Sequence, residues 1–211
     1  MEGRVPKIYR FFVFALFLCF STLLSGKPLP CGMSLSELVA KERSRQIVPK
    51  GREIRIAAII AAERNGEFMT LERIGNGANE KGTKGFAGGS IEEFDWDLQA
   101  GAIREFYEET GLMIDRHRLR YVGKLDYHGG DGRFYATHFF YLHLEDDEDP
   151  VIPQKEKTRL GAVRFVRLDQ LPDKMFSTNT VVFEFFTRHG FENFPQIDLN
   201  AFAQELHEGH H

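Results

Sequence analysis

Gly88-Gly89, followed after fourteen residues by Arg104-Glu105-Phe106-Tyr107-Glu108-Glu109-Thr110-Gly111-Leu112, is the stretch on which the reading of this 211-residue chain turns. A helix turns about 100° per residue, so Glu105, Glu108 and Glu109 fall within an arc of roughly 100°. Ile103, Phe106, Tyr107 and Thr110 fall on a second arc that is expected to face a core. Three acids this close repel one another. Hard cations with oxygen ligands, Mg²⁺ or Mn²⁺, relieve that repulsion. Arg104 stands four residues before Glu108, the spacing at which an arginine pairs with a carboxylate and holds its rotamer. Gly111 ends the helix where a left-handed cap is wanted. The Gly88-Gly89 pair, read as a turn, lets a backbone carbonyl approach a metal without side-chain obstruction.

These residues resemble the Nudix box: a glycine, five residues, a glutamate, seven residues, then Arg-Glu-apolar-any-Glu-Glu-any-Gly-apolar. Residues 104–112 match every specified position. The first half departs from the pattern. Counting on from Gly89 reaches Asp95 where the family has Glu, and eight residues rather than seven separate it from Arg104. Counted back from Arg104, the glutamate position holds Trp96, and Ala87 stands where many members carry Pro. One extra loop residue, with Asp95 substituting for the upstream Glu in a peripheral role, accounts for the difference.

The resemblance implies metal-dependent hydrolysis of a nucleoside diphosphate linked to another group. Matched to the motif, Glu105, Glu108 and Glu109 are the metal-binding or base residues, the Gly88 carbonyl is a further ligand, and Arg104 orients the cluster. Some members use a glutamate beyond the box as base, and Glu156 is the candidate here, against the plainer reading of a loop acid. Family patterns associate a proline about 15 residues past the box with ADP-ribose and a tyrosine there with dinucleoside polyphosphates. No proline occurs between Gly111 and Asp149, and Tyr127 lies 15 residues past Leu112. Nucleoside triphosphates or dinucleoside polyphosphates are therefore favoured over ADP-ribose. Tyr127, with His128, reads either as a group that stacks on or bonds a base or as a core or rim residue of its strand, and Trp96, with Phe94, either as a stacking lid or as packing at the start of the helix. His117 and His138 have no partner at ligand spacing and read as structural. The competing reading is a Nudix-like module that binds or senses a nucleotide without turning it over.

Around the box, residues 54–62 form a continuous apolar run suited to a buried strand, and 66–74 alternate and pair with them across Asn65-Gly66. Residues 75–85 read as a loop, and Asp97 is placed to cap a helix over 98–110. Strands are predicted at 119–127 and 134–144, joined by Gly129-Gly130-Asp131-Gly132, and at 162–168. The acidic run Glu145, Asp146, Asp147, Glu148, Asp149 reads as a solvated turn, and 181–188 as a helix. This order predicts the α/β/α sandwich of the Nudix fold with a mixed sheet, as one domain over 33–207.

The N-terminus stands apart. Arg4, Lys7 and Arg10 precede an apolar run over 11–24, then Ser25-Gly26. That pattern resembles a secretory signal and is short for a membrane span. Met33-Ser34-Leu35 offers an internal start, which makes residues 1–32 either a signal-like leader or added sequence. Glu208-Gly209-His210-His211 reads as a tag remnant. Both cysteines, Cys19 and Cys31, lie within the leader, so neither disulfide nor thiolate chemistry is expected in the folded part. Without residues 1–32 the chain holds 23 Lys and Arg against 30 Asp and Glu. Nucleic-acid platforms need clustered positive charge, so a nucleotide-type small molecule is the expected partner. A homodimer is left open, and the expected location is cytoplasmic, or secreted or membrane-attached if the leader works.

Overall fold

A computed structural model describes residues 32–45, 48, 50–75 and 81–208. Residues 1–31, part of the loop read at 75–85, and 209–211 lie outside them, so the readings of the leader, the cysteines and the last three tail residues are not addressed. Among the described residues no helix is long and apolar enough to cross a membrane.

The apolar run that opens the domain becomes β1 (Ile54–Arg64), which pairs in parallel with β6 (Phe134–His143) over ten consecutive residues. A parallel pair needs both faces covered, and both are. Ile54, Ile56, Ala58, Ile60 and Ala62 face α1 (Leu35–Arg43) and α2 (Leu98–Thr110), packing against Leu38, Leu98, Ala102 and Phe106. Ile59 and Ala61 point the other way, toward α3 (Ser177–His189) and α4 (Leu199–Glu208). That second layer is built largely of phenylalanine. Phe68 meets Phe86, Phe183, Phe186 and Phe191 with ring centroids 5.0–5.5 Å apart, mostly in tilted and edge-on arrangements, which rings prefer to a face-to-face sandwich. The result is the mixed-sheet sandwich that the element order predicts.

The sheet forks, and the fork makes the site. β1 turns into β2 (Glu67–Arg73) through Asn65 and Gly66, both at positive φ (54° and 81°), as a two-residue hairpin requires. The pairing lasts only for Glu63↔Phe68 and Arg64↔Glu67. Beyond it, β4 (Ala87–Ser90) takes the edge of β1 from Ala57 to Ile60. β2 swings away to pair with β3 (Lys84–Gly85) and β7 (Leu160–Arg167). A wedge opens between the two arms.

Several elements differ from the sequence reading. Gly88-Gly89 lie in a strand, not a turn. Part of the supposed loop at 75–85 is β3; two- and four-residue strands are too short to show a period. α1 was not expected, although Ser34 and Glu37 form a complete capping box at its start. α3 begins four residues early, in the poor helix formers Ser177-Thr178-Asn179-Thr180, because Asn179 is needed inside, where its side-chain oxygen accepts from the Phe86 N–H at 2.8 Å. Glu208, read with the tail, closes α4. That helix protects the edge strand β5 (Arg120–His128): Asn200 accepts from the Asp126 N–H at 2.8 Å and donates to the Lys124 carbonyl at 3.3 Å, so these edge groups are not offered to another chain. The acidic run at 145–149 is an exposed turn, as read, except that Glu148 is half-buried and receives both Arg118 guanidinium nitrogens at 2.6 and 2.8 Å.

Candidate active site

α2 starts where Asp97 accepts from the Ala100 N–H at 2.9 Å and stops at Gly111, whose φ of 71° is the left-handed cap the sequence implies. Its buried stripe is Leu98, Ala102, Phe106 and Thr110. Two residues depart from expectation. Helical spacing puts Tyr107 on the core face, yet it is 46% exposed, and puts Glu109 on the acidic face, yet it is 2% exposed. The stripe runs at four-residue spacing, which turns Tyr107 outward and directs Glu109 into the seam between α2 and β4.

Glycine makes that seam possible. The Glu109 carboxylate accepts from the Gly88 N–H at 2.8 Å. A Cβ on Gly88 would lie 2.4 Å from the Ala58 carbonyl oxygen, and φ there is +144°, a backbone shape that side chains rarely adopt. A Cβ on Gly89 would lie 2.6 Å from Glu105 Oε2. The pair is thus a strand thinned to backbone so that two carboxylates of the neighbouring helix can press against it.

Arg104 holds the arrangement, with a different principal partner from the one expected. Its contact with Glu108 is a distant 3.7 Å. Its Nε and Nη2 donate to the two oxygens of Asp95 at 2.9 and 2.8 Å, Nη1 donates to Glu105 at 2.8 Å, and Nη2 also reaches the Ser90 carbonyl at 2.9 Å. Asp95 in turn accepts from the Glu92 N–H at 2.8 Å. The loop carrying the extra residue therefore brings a short acid to the arginine, and Asp95 is a buried clasp rather than a peripheral group. Gly101 makes room for it: a Cβ there would lie 2.9 Å from Asp95 Oδ2 and 2.3 Å from Ile91 Cδ1. Gly to Ala inside a helix ordinarily stabilises by about 1 kcal/mol. Gly101→Ala is expected to do the reverse, lowering the melting temperature and the activity together; a thermal melt at or above the wild-type value would refute this packing.

Burial raises the pKa of Glu105, partly offset by Arg104, and lifts Glu109 to about 7, offset in part by Arg73 and the Gly88 N–H. Among the described residues no three His, Cys, Asp or Glu side chains converge as a ready-made metal cage. The donor chemistry of α2 nonetheless fits a hard divalent ion: carboxylate oxygens from one helix, two of them desolvated at a cost that a cation offsets.

The fork encloses a cleft of about 340 Å³. Gly88, Glu105, Glu108 and Tyr127 line it, and Glu109 lies directly behind Gly88. The Tyr127 ring stacks on Tyr135, with centroids 4.8 Å apart and planes 9° from parallel. Glu156 does not line the cleft; it is buried in the turn before β7, where Arg159 donates to it at 3.2 Å. Trp96 stays outside, 84% exposed, and Phe94 lies beneath the Arg104 guanidinium at 5.3 Å. His138 is structural as read, its Nδ1 2.9 Å from the Tyr121 hydroxyl and its pKa held down to about 3 by burial. Arg73, Arg159, Phe176 and Asn179 also line the cleft. Sequence reasoning missed these four because they join the box only through the fork, and no local spacing marks them. A larger hollow of about 530 Å³ opens around Tyr141 and His143, but its buried acid, Glu63, is already satisfied by Gly66 N–H, the Tyr141 hydroxyl and His143.

The sequence profile of the NUDIX domain matches residues 52–186, from the start of β1 through most of α3 and across the unusual loop at Asp95. The chain belongs to the NUDIX family. Nudix hydrolases act on nucleoside diphosphate derivatives, generally with divalent metals, and this protein is a Nudix pyrophosphohydrolase. No curated protein matches it in sequence. Solved structures share its Nudix fold. A MutT NUDIX hydrolase from Burkholderia pseudomallei superposes with a TM-score of 0.56 at 22% identity, covering 63% of this chain and 98% of that one. A NUDIX hydrolase from Alicyclobacillus acidocaldarius gives 0.55 at 16% identity, covering 65% and 93%. A MutT/nudix family protein from Enterococcus faecalis gives 0.51 at 13% identity, covering 74% and 69%. At these identities the likeness concerns the fold, and the Nudix site is read from this chain's own residues.

Proposed function

We propose that the protein hydrolyses the pyrophosphate linkage of a nucleoside triphosphate or dinucleoside polyphosphate, with Mg²⁺ or Mn²⁺ held by the carboxylates of α2. The observation that carries this reading is the pairing of walls in one cleft: Glu105 and Glu108 on the α2–β4 arm, Arg73 and Arg159 on the β2–β7 arm. A divalent ion supplies charge neutralisation and an activated water. The chain's own groups do the positioning. Arg104 fixes Glu105, the Gly88 N–H fixes Glu109, and the Tyr127–Tyr135 stack offers a flat surface to a base. Glu156 acts on this site through Arg159 rather than by direct reach. The tyrosine at this position and the lack of a proline between Gly111 and Asp149 support the triphosphate and dinucleoside classes over ADP-ribose. Such nucleotides are intracellular, which supports a cytoplasmic site of action.

The test is chromatographic detection of the cleaved nucleotide and pyrophosphate or phosphomonoester products from a panel of nucleoside triphosphates, dinucleoside polyphosphates, ADP-ribose, NADH and CoA, with Mg²⁺ and then with EDTA. The expected result is metal-dependent turnover, abolished by EDTA, of triphosphates or dinucleoside polyphosphates. Turnover of ADP-ribose alone would overturn the substrate class. Folded protein that binds a nucleotide yet releases nothing would overturn hydrolysis in favour of a sensing role.

A further inference from the structure

Arg73, the last residue of β2, enters the cleft from the arm opposite α2. Its Nε is buried and has no hydrogen-bond partner among the described residues. Its guanidinium carbon lies 5.7 Å from the centre of the Phe176 ring, which also lines the cleft. Arg159 stands beside it, tied to Glu156 by one hydrogen bond of 3.2 Å on a side chain that is 54% exposed. Among the described residues neither arginine closes an ion pair with Glu105, Glu108 or Glu109. Yet Arg73 and Arg159 both sit within electrostatic reach of Glu109, and Arg159 of Glu105 as well.

A buried guanidinium donor without an acceptor is costly and is normally satisfied from within the fold. The Glu109 carboxylate behind the cleft wall is near enough to attract Arg73 and does not bond it. A structural arginine would have closed that pair; an arginine with an unused donor beside a cavity is arranged for an anion from outside. Planar guanidinium donors match phosphate oxygens. The α2 carboxylates repel phosphate unless a cation intervenes, so a phosphate without one belongs on the arginine arm.

We propose that Arg73, assisted by Arg159, is a phosphate clamp that selects substrates carrying at least one phosphate beyond the scissile pyrophosphate. This inference rests on the hydrolase reading above: a cation held by the α2 carboxylates would take the pyrophosphate that is cleaved, and Arg73 takes the additional phosphate. Molecules with only two phosphates, such as ADP-ribose, leave Arg73 unsatisfied and bind more weakly.

The test compares full-length wild-type protein with Arg73→Gln and Arg73→Lys. Steady-state kinetics are measured on a nucleoside triphosphate, a dinucleoside tetraphosphate and ADP-ribose with Mg²⁺. Calorimetric binding of a non-hydrolysable methylene-bridged triphosphate is measured in parallel. Arg73→Gln is expected to raise KM and Kd for the triphosphate by ~10- to 100-fold, with a smaller effect on kcat and a smaller KM rise for ADP-ribose; Arg73→Lys recovers part of the loss. Equal KM changes for all three substrates, or unchanged triphosphate binding, would overturn the clamp. If wild-type protein turns nothing over, the hydrolase reading fails by itself, and the binding arm still decides the clamp. If Arg73→Gln melts early, Arg159→Gln takes its place, with the same pattern expected at smaller size and the same overturning result.

Discussion

Glu109→Gln is expected to reduce kcat on the order of 10²–10³-fold while leaving the chain folded. Glutamine has the same shape, and its side-chain oxygen can still accept the Gly88 N–H that Glu109 holds at 2.8 Å. What it lacks is the negative charge that a divalent ion requires. The charge is also what the fold pays to bury, which predicts a pH signature. Burial raises the folded-state pKa of Glu109 to about 7 from an ordinary value of 4.5. A carboxyl with a raised pKa binds its proton more tightly in the folded chain than in the unfolded one. Its contribution to stability is therefore complete below about pH 4.5 and is lost as pH rises through about 7. Metal-free Glu109→Gln should escape this loss, so its melting temperature should gain on wild type between pH 5 and 8, and added Mg²⁺ should narrow the gap by stabilising wild type alone. Circular-dichroism melts across that range, with single-turnover rates, check both halves. A variant that turns over within threefold of wild type would remove Glu109 from the machinery.

Asp95→Ala is the second large effect. Deleting this acid removes both oxygens from Arg104 and the acceptor for the Glu92 N–H. Asp95 is 7% exposed and the Arg104 side chain 20% exposed, so the arginine is left largely buried without its main counter-charge. Removing one partner of such a pair costs about 3 kcal/mol, read in urea denaturation. Arg104, already bonded to Glu105, is then free to turn its remaining donors onto Glu105 and Glu108, occupying the carboxylates that a cation needs. Turnover should fall by roughly 10–100-fold, as for other groups that orient metal ligands, with a matching loss of Mg²⁺ affinity. Asp95→Asn keeps the size and one acceptor and should fall between the two. If Asp95→Ala unfolds at the wild-type denaturant concentration and keeps its rate, the clasp has no role in stability or catalysis.

Both predictions lean on contacts of different legibility. The Asp97 cap and the Gly111 stop are local, set by helical spacing within fifteen residues, and the structure places both as the spacing says; Arg104 and Glu109 lie on the same helix but meet partners that spacing does not give. Asp95 is the intermediate case. Counting residues marks it as the counterpart of a glutamate, but counting cannot show that an extra residue folds the loop inward until a shorter acid reaches the arginine. The burial of Glu109 is also beyond a helical wheel, which assigns angles around an axis and not the neighbour each angle meets. Tyr107 and Glu109 exchange their expected environments because β4 lies where the wheel has only solvent.

The sequence by itself determined the family pattern, the succession of the longer strands and helices along the chain and the chemistry of the box helix, because each of these is written in short-range periodicity and residue type. The tertiary structure alone decided what stands across from that helix. Arg73, Arg159 and Phe176 reach the cleft because β2 leaves β1 after two residue pairs and β4 fills the vacated edge. That exchange depends on long-range strand pairing, whose energy is shared among residues far apart in the chain, so no single segment carries its signal.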